Sequence, residues 1–151
     1  MDPITIRPAD ADDLPGILAL HAGLESDSRT LDLPHASAIF ERILSYPNYR
    51  VYVAISEGTV VGTFALLIMD NLAHLGAPSA IVEDVVVSPA ERGRGIGRQM
   101  MRHAMEHCER AGCYKMMLSS NLAREQAHQF YESLGFERHG YSFLVRFRKG
   151  G

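Results

Sequence analysis

The run Ile81-Val82-Glu83-Asp84-Val85-Val86-Val87 reads as an apolar strand carrying two carboxylates. Ser88-Pro89-Ala90-Glu91 follows as a turn, and Arg92-Gly93-Arg94-Gly95-Ile96-Gly97-Arg98 as a loop entering an amphipathic helix. Glycine lets backbone come close to a ligand. Amides at a helix N-terminus point outward and attract anions. Arginines beside them add charge. The stretch is suited to holding a phosphate, with acidic groups on the strand that feeds it.

Two nucleotide motifs fail on spacing. A dinucleotide fingerprint needs Gly-x-Gly-x-x-Gly tight against its strand; here the glycines are Gly93, Gly95 and Gly97, and a turn intervenes. A P-loop needs Gly-Lys-Ser/Thr, whereas Gly97 is followed by Arg98 and Gln99. An ordinary glycine-rich connection on a solvated basic surface accounts for a lone Gly-x-Gly-x-Gly equally well.

Arg92 through Gly97 also spells Arg-x-x-Gly-x-Gly when counted back from Gly97 through Gly95. It resembles the acetyl-coenzyme A pyrophosphate loop of the GNAT superfamily of N-acetyltransferases. Downstream, Ala127-His128-Gln129-Phe130-Tyr131-Glu132-Ser133-Leu134-Gly135-Phe136 resembles that superfamily's Ala-x-x-Phe-Tyr-x-x-x-Gly-Phe pattern. Ile6-Arg7-Pro8-Ala9 followed by Asp12-Asp13-Leu14 resembles its opening. The resemblance spans nearly the whole chain. It implies an α/β fold: a twisted mixed sheet, flanked by helices, whose two central strands splay apart to admit the pantetheine arm.

The 151 residues are enough for one domain with its own core, here a single N-acetyltransferase domain. A net charge of −3 argues against generic nucleic-acid binding, so the arginine cluster stands out as local. Cys108 and Cys113 form no disulfide framework, and no Cys/His spacing suggests a metal. No apolar run is long enough for a membrane span, and a reduced cytoplasmic setting is the expectation.

Periodicity orders the elements. Ile4–Ile6 is a short strand, and Asp12 is the expected cap of a helix over about 13–25. Pro34–Ser45 reads as a second helix ended by Pro47. Arg50–Ser56 and Thr59–Met69 form a hairpin around Glu57-Gly58. Ala80–Val87 is the central strand. Ile96–Ala111 is a helix with Ile96, Met100, Ala104 and Cys108 on one face. Tyr114–Ser119 is a strand, Glu125–Leu134 a helix closed by Gly135, and Gly140–Phe147 a last strand.

Acetyl transfer to an amine needs a neutral amine, a donor for the carbonyl oxygen and a proton for the leaving thiolate. Glu83 is the candidate base, acting through a water. A carboxylate on a buried strand is costly unless paired or solvated, so it suggests a polar cavity. Alternation places Glu83 and Asp84 on opposite faces, with Asp84 a substrate or structural contact. The resemblance assigns the amides of Val85, Val86 and Val87 to the pantetheine arm and the thioester carbonyl. It assigns the pyrophosphate to Arg92, Gly93, Arg94, Gly95, Ile96, Gly97 and Arg98, and the leaving-group proton to Tyr131. A core tyrosine beside Ala127, Phe130 and Leu134 is the competing reading of Tyr131. The family often has an asparagine seven residues before this tyrosine. Arg124 stands there, so Arg124 and Asn121 share the coenzyme-contact assignment, with helix capping the alternative for Asn121.

For the acceptor, Val82–Val87, His74 and Cys113-Tyr114-Lys115 resemble the glucosamine-6-phosphate acetyltransferase branch. Ser119-Ser120 stands where that branch often has an acid. Arg124–His128 resembles aminoalkylphosphonate acetyltransferases. Both branches use small polar amines, which Glu83, Asp84, His74 and Ser119 would contact. A solvated loop histidine is the competing reading of His74. Peptide or antibiotic acetylation shares every motif, and a non-catalytic acyl-coenzyme A sensor would dispense with Glu83 and Tyr131. The alternating Tyr141, Phe143, Val145 and Phe147 suggest a homodimer through the last strand, with an edge packed under the Pro34–Ser45 helix of a monomer the competing reading.

Overall fold

The structure is a computed structural model that describes residues 3–23, 29–120 and 123–147. It divides into two compact units, Met1–Leu118 and Ser119–Gly151.

In the first unit, β1 (Thr5–Pro8), β2 (Tyr49–Ser56), β3 (Thr59–Met69), β4 (Ser79–Val87) and β5 (Lys115–Met117) form one sheet in that order. Pairing is antiparallel from β1 to β4 and parallel between β4 and β5. The β2–β3 turn puts Glu57 and Gly58 at φ +50° and +75°. Positive φ at both central residues matches strand twist, and only Gly adopts it freely.

Alternation along β2 sorts the core into two layers. Val51, Val53 and Ile55 pack with Ala9, Leu14, Ile17, Phe40 and Val60. This is the face covered by α1 (Leu14–His21) and α2 (Leu33–Ser45). Tyr52 and Ala54 face the other way, toward α3 (Ile96–Arg110). The α3 face buries Ile96, Met100, Met101, Ala104 and Cys108, the expected stripe plus Met101. Ile96, Met100 and Met101 are each worth about 1.5–3 kcal/mol of burial. Gly62 permits the close approach: a Cβ there would lie 2.9 Å from Met100 Sδ.

The entry to α1 differs from expectation. Asp10, not Asp12, caps the turn Ala11–Asp13, its carboxylate accepting from the Asp12 amide at 2.9 Å. Asp13 accepts from the Asp10 amide at 2.8 Å and from Arg7 at 2.7 and 3.0 Å. One carboxylate thus closes the cap and fastens it to β1, leaving Asp12 in solvent. The helix is also shorter than the expected 13–25, ending at His21 with Ala22 as its C-cap.

Two features of β4 shape the site. The register passes from Thr63↔Val86 to Ala65↔Glu83, so Asp84 and Val85 together oppose Phe64. This is a β-bulge, and Asp84 takes φ +54° within it. On its other side β4 pairs with β5 only at Ser79↔Lys115, Ala80↔Met116 and Ile81↔Met117. Beyond Ile81 the two strands part, as the resemblance implied.

In the second unit, α4 (Glu125–Ser133) ends where Gly135 takes φ +97° and the Phe136 amide donates to the Tyr131 carbonyl at 3.1 Å. The expected strand over Gly140–Phe147 is absent: these residues form no strand. Alternation alone does not make a strand; its amides and carbonyls need a ladder. The expected strand from Tyr114 to Ser119 is likewise shorter, ending at Met117.

Candidate functional site

The glycine loop lies between the end of β4 and the start of α3. Gly93 and Gly95 take φ +88° and +75°, and a Cβ on either would meet no atom within 4 Å. The loop is therefore open above both glycines. Gly95 is the N-cap of α3, with no side-chain cap. The first intrahelical bond, from the Gln99 amide to the Gly95 carbonyl, measures 3.0 Å. The amides of Ile96, Gly97 and Arg98 precede it and have no intrahelical acceptor. Ile96 is 1% exposed, so its side chain anchors the helix and only its amide remains for a ligand.

The three arginines divide in role. Arg94 Nη1 donates to Glu91 Oε2 at 2.6 Å and to Ser56 Oγ at 3.2 Å. Its guanidinium fastens the loop to the end of β2. Arg92 and Arg98 are exposed and flank the amides. Ser56 and Glu91 escaped the sequence reading because nothing local marks their partner.

The bulge revises the expected placement of the two carboxylates. Glu83 and Asp84 are both exposed, so neither is a buried strand charge. Simple alternation stops at Asp84, whose left-handed backbone re-aims the strand. Asp tolerates that conformation better than most residues. The cross-strand rows Tyr49–Leu67–Ile81 and Val51–Ala65–Glu83 are adjacent on the α1/α2 face. Burial, then the charges of Asp84 and Glu83, push the Tyr49 phenol above its ordinary range. Tyr49 is thus a site neighbour the sequence did not flag; its ring stacks with that of exposed Tyr46 at 6.3 Å. Val85, Val86 and Val87 are half-buried, because β5 does not extend alongside them.

His74 belongs to a helical turn, His74–Gly76, and stacks on Tyr114 at 4.2 Å. The Lys115 ammonium lies 5.3 Å from the centre of the same tyrosine ring. Asn71 Nδ2 donates to the Ala77 carbonyl at 2.8 Å and pins this loop. In the second unit, Tyr131 is half-buried against Phe130 and Phe136, with ring centres 5.2 and 5.5 Å away. Burial raises its pKa and the charge of Arg124 opposes the rise. Tyr131 is therefore a neutral phenol, able to donate, at ordinary pH. Arg124 is exposed at the start of α4. Ser119 is exposed, its Oγ 3.4 Å from Ser142 Oγ. Asn121 lies outside the described residues. Among the described residues no His, Cys, Asp and Glu group could hold a metal, and no helix is long and apolar enough to cross a membrane.

The acetyltransferase (GNAT) family pattern matches residues 17–136. This chain belongs to the GNAT family. The family is one of acetyltransferase enzymes, and the mixed five-stranded sheet flanked by helices is its arrangement. An aminoalkylphosphonate N-acetyltransferase of Salmonella typhimurium is 31% identical over 91% of this GNAT chain and 88% of its own. A glucosamine 6-phosphate N-acetyltransferase of Trypanosoma brucei brucei is 36% identical over 60% of this chain, and the match covers 59% of that protein. A solved structure from Agrobacterium tumefaciens, provisionally assigned as an acetyltransferase, is 39% identical with a TM-score of 0.90. That superposition covers 95% of this chain and 99% of the other.

Proposed function

We propose that the 151 residues form one N-acetyltransferase domain. It moves an acetyl group from acetyl-CoA to a primary amine of a small polar metabolite, by direct attack in a ternary complex, as a cytoplasmic homodimer. The observation that carries this reading is the parting of β4 from β5 after Ile81, directly upstream of the open glycine loop. Amides of Val82–Val87 that face the gap have no strand partner there among the described residues. A pantetheine arm is an extended chain of amides and could complete that ladder. Arg92 and Arg98, with the α3 amides, suit a pyrophosphate.

The chemistry follows from what each residue can do. An alkyl ammonium has a pKa of about 10.4 and must lose a proton before it attacks. Glu83, exposed on the acceptor side, takes that proton through a water. Amides at Val85–Val87 donate to the carbonyl oxygen as it gains charge. The nitrogen–carbon bond forms, the carbon–sulfur bond breaks, and the departing thiolate accepts a proton for which Tyr131 is the assigned donor. Asp84, His74 and Ser119 are assigned to the acceptor, and Arg124 and Asn121 to the coenzyme. The names of the relatives favour an acceptor that carries a phospho group near its amine.

Gly95→Val tests the cofactor assignment. A branched residue is strained at φ +75° and would cover the amides, so calorimetry should find acetyl-CoA affinity strongly reduced. Undiminished affinity sinks the pyrophosphate reading. A thiol-release screen over amino sugars, aminophosphonates, polyamines, amino acids and peptides then identifies the acceptor class.

A further inference from the structure

We propose that a cavity beneath the C-terminal half of α3 is a second binding site, specific for a small organic carboxylate. Its volume is about 270 Å³, and Asn48, Arg50, Tyr52, Leu66, Ile68 and His107 are among its lining residues. No carboxylate lines it. It lies along α3 from the glycine loop: Ile96 and His107 are separated by about 16 Å at 1.5 Å of rise per residue. The cavity thus lies away from the glycine loop, on the α3 face of the sheet, whereas the Val51–Ala65–Glu83 row lies on the α1/α2 face.

Two polar groups in the cavity wall have unused donors among the described residues. Arg50 Nη1 donates to the carbonyls of Tyr46 at 2.9 Å and Tyr49 at 2.7 Å. Those bonds fix the guanidinium, yet its remaining N–H groups have no acceptor, and no carboxylate pairs with it among the described residues. Tyr52 is 5% exposed, and its hydroxyl makes no hydrogen bond among the described residues. Neither group is sealed from solvent, since Ser120 Oγ is the one buried side-chain polar atom without a partner among the described residues; the pair presents unused donors to whatever enters the cavity. The phenol ring is held in place. It stacks on Phe64 at 5.0 Å and meets the edges of His103 at 5.5 Å and His107 at 6.4 Å.

The chemistry of the lining selects the ligand. Arg50 and Arg110 act on the Tyr52 hydroxyl as cations; Cys108, which opposes them, is a neutral thiol at ordinary pH because burial pushes its pKa up to about 12. An anion is therefore favoured. A guanidinium edge with free N–H groups matches a planar carboxylate, and the phenol supplies a third donor. Leu66 and Ile68 offer an apolar wall for a short carbon chain. The volume falls below the roughly 300–1,000 Å³ of drug-sized sites, so the ligand is small.

The test is a titration of the isotope-labelled full chain with butyrate, 3-phenylpropionate and inorganic phosphate at constant ionic strength, read by amide NMR. The two carboxylates should shift the amides of Arg50, Tyr52, Ile68 and His107 saturably. Arg50→Gln and Tyr52→Phe should each weaken binding about tenfold or more, the worth of a hydrogen bond to a charged group. Tyr52→Phe keeps the ring packing and carries the test if Arg50→Gln fails to fold. Absence of saturable shifts at tens of millimolar carboxylate, or affinity unchanged in both variants, overturns the proposal. Phosphate binding as tightly as the carboxylates overturns the ligand class.

Discussion

At the scale of single residues, Tyr131 and Glu83 make separable predictions. Burial keeps Tyr131 protonated. Tyr131→Phe should leave acetyl-CoA affinity intact and lower kcat by about 10²–10⁴-fold, the usual worth of general acid catalysis. A wild-type kcat would return this tyrosine to a packing role. Glu83→Gln should lose activity near neutral pH and regain part of it as pH approaches the amine's own pKa of about 10, where free amine is abundant. If its pH–rate profile overlays that of the wild type, the base is elsewhere. The place of the glycine loop between β4 and α3 was legible because its glycines follow an apolar strand and precede an amphipathic run. The commitment of Arg94 to Glu91 and Ser56 was not legible, because Ser56 comes from another strand. Tyr49 was missed for the same reason: only the register of three strands brings it near the carboxylates.

At the scale of elements, the entry to α1 depends on one ion pair. Arg7 foremost, then the Asp10 amide, holds the Asp13 carboxyl below the usual carboxylate range against the opposing effect of burial. A depressed folded pKa gives stability that is complete above the unfolded value of about 3.9 and is lost as pH falls through the lower folded value. Asp13→Asn removes the charge and keeps the shape. It should destabilise the protein by about 1–2 kcal/mol at neutral pH. The effect is modest because the Arg7 side chain is 38% exposed and screened by solvent. Urea melts should show the gap between variant and wild type closing below about pH 4. A gap independent of pH would mean that the carboxylate charge contributes nothing. Elements with a clean period were legible: Thr59–Met69 is the strand that alternation predicts, and α3 begins at Ile96 as expected. The bulge was not legible, because Asp84 takes the left-handed backbone without a glycine to announce it.

At the scale of the whole molecule, the C-terminal segment is the seam of the proposed homodimer. Tyr141, Phe143 and Phe147 are 92%, 90% and 84% exposed. A run this apolar in solvent marks an interaction surface. Light scattering should give twice the chain mass of 16.7 kDa. Phe143→Asp should restore the single mass with the fold kept by circular dichroism. A monomeric wild type rejects the dimer. The sequence predicted a strand here from alternation, but alternation reports only which side chains share a face. Whether a ladder exists depends on a partner strand that no local pattern specifies.

The two-residue turn at Glu57-Gly58 also has a kinetic meaning. It joins the two strands with the most extensive pairing in the sheet, Tyr49–Ser56 and Thr59–Met69, at the smallest loop-closure cost. A hairpin of this kind closes in about 1–10 μs. β1 must wait for two intervening helices, and β5 for α3, before either can dock on its neighbour. Assembly should therefore nucleate on this hairpin, with the parallel β4–β5 contact among the last to form. In pulsed hydrogen exchange during refolding, the amides of Val53 and Phe64 should gain protection before those of Met116 and Met117. Simultaneous protection would show that the sheet closes in one step.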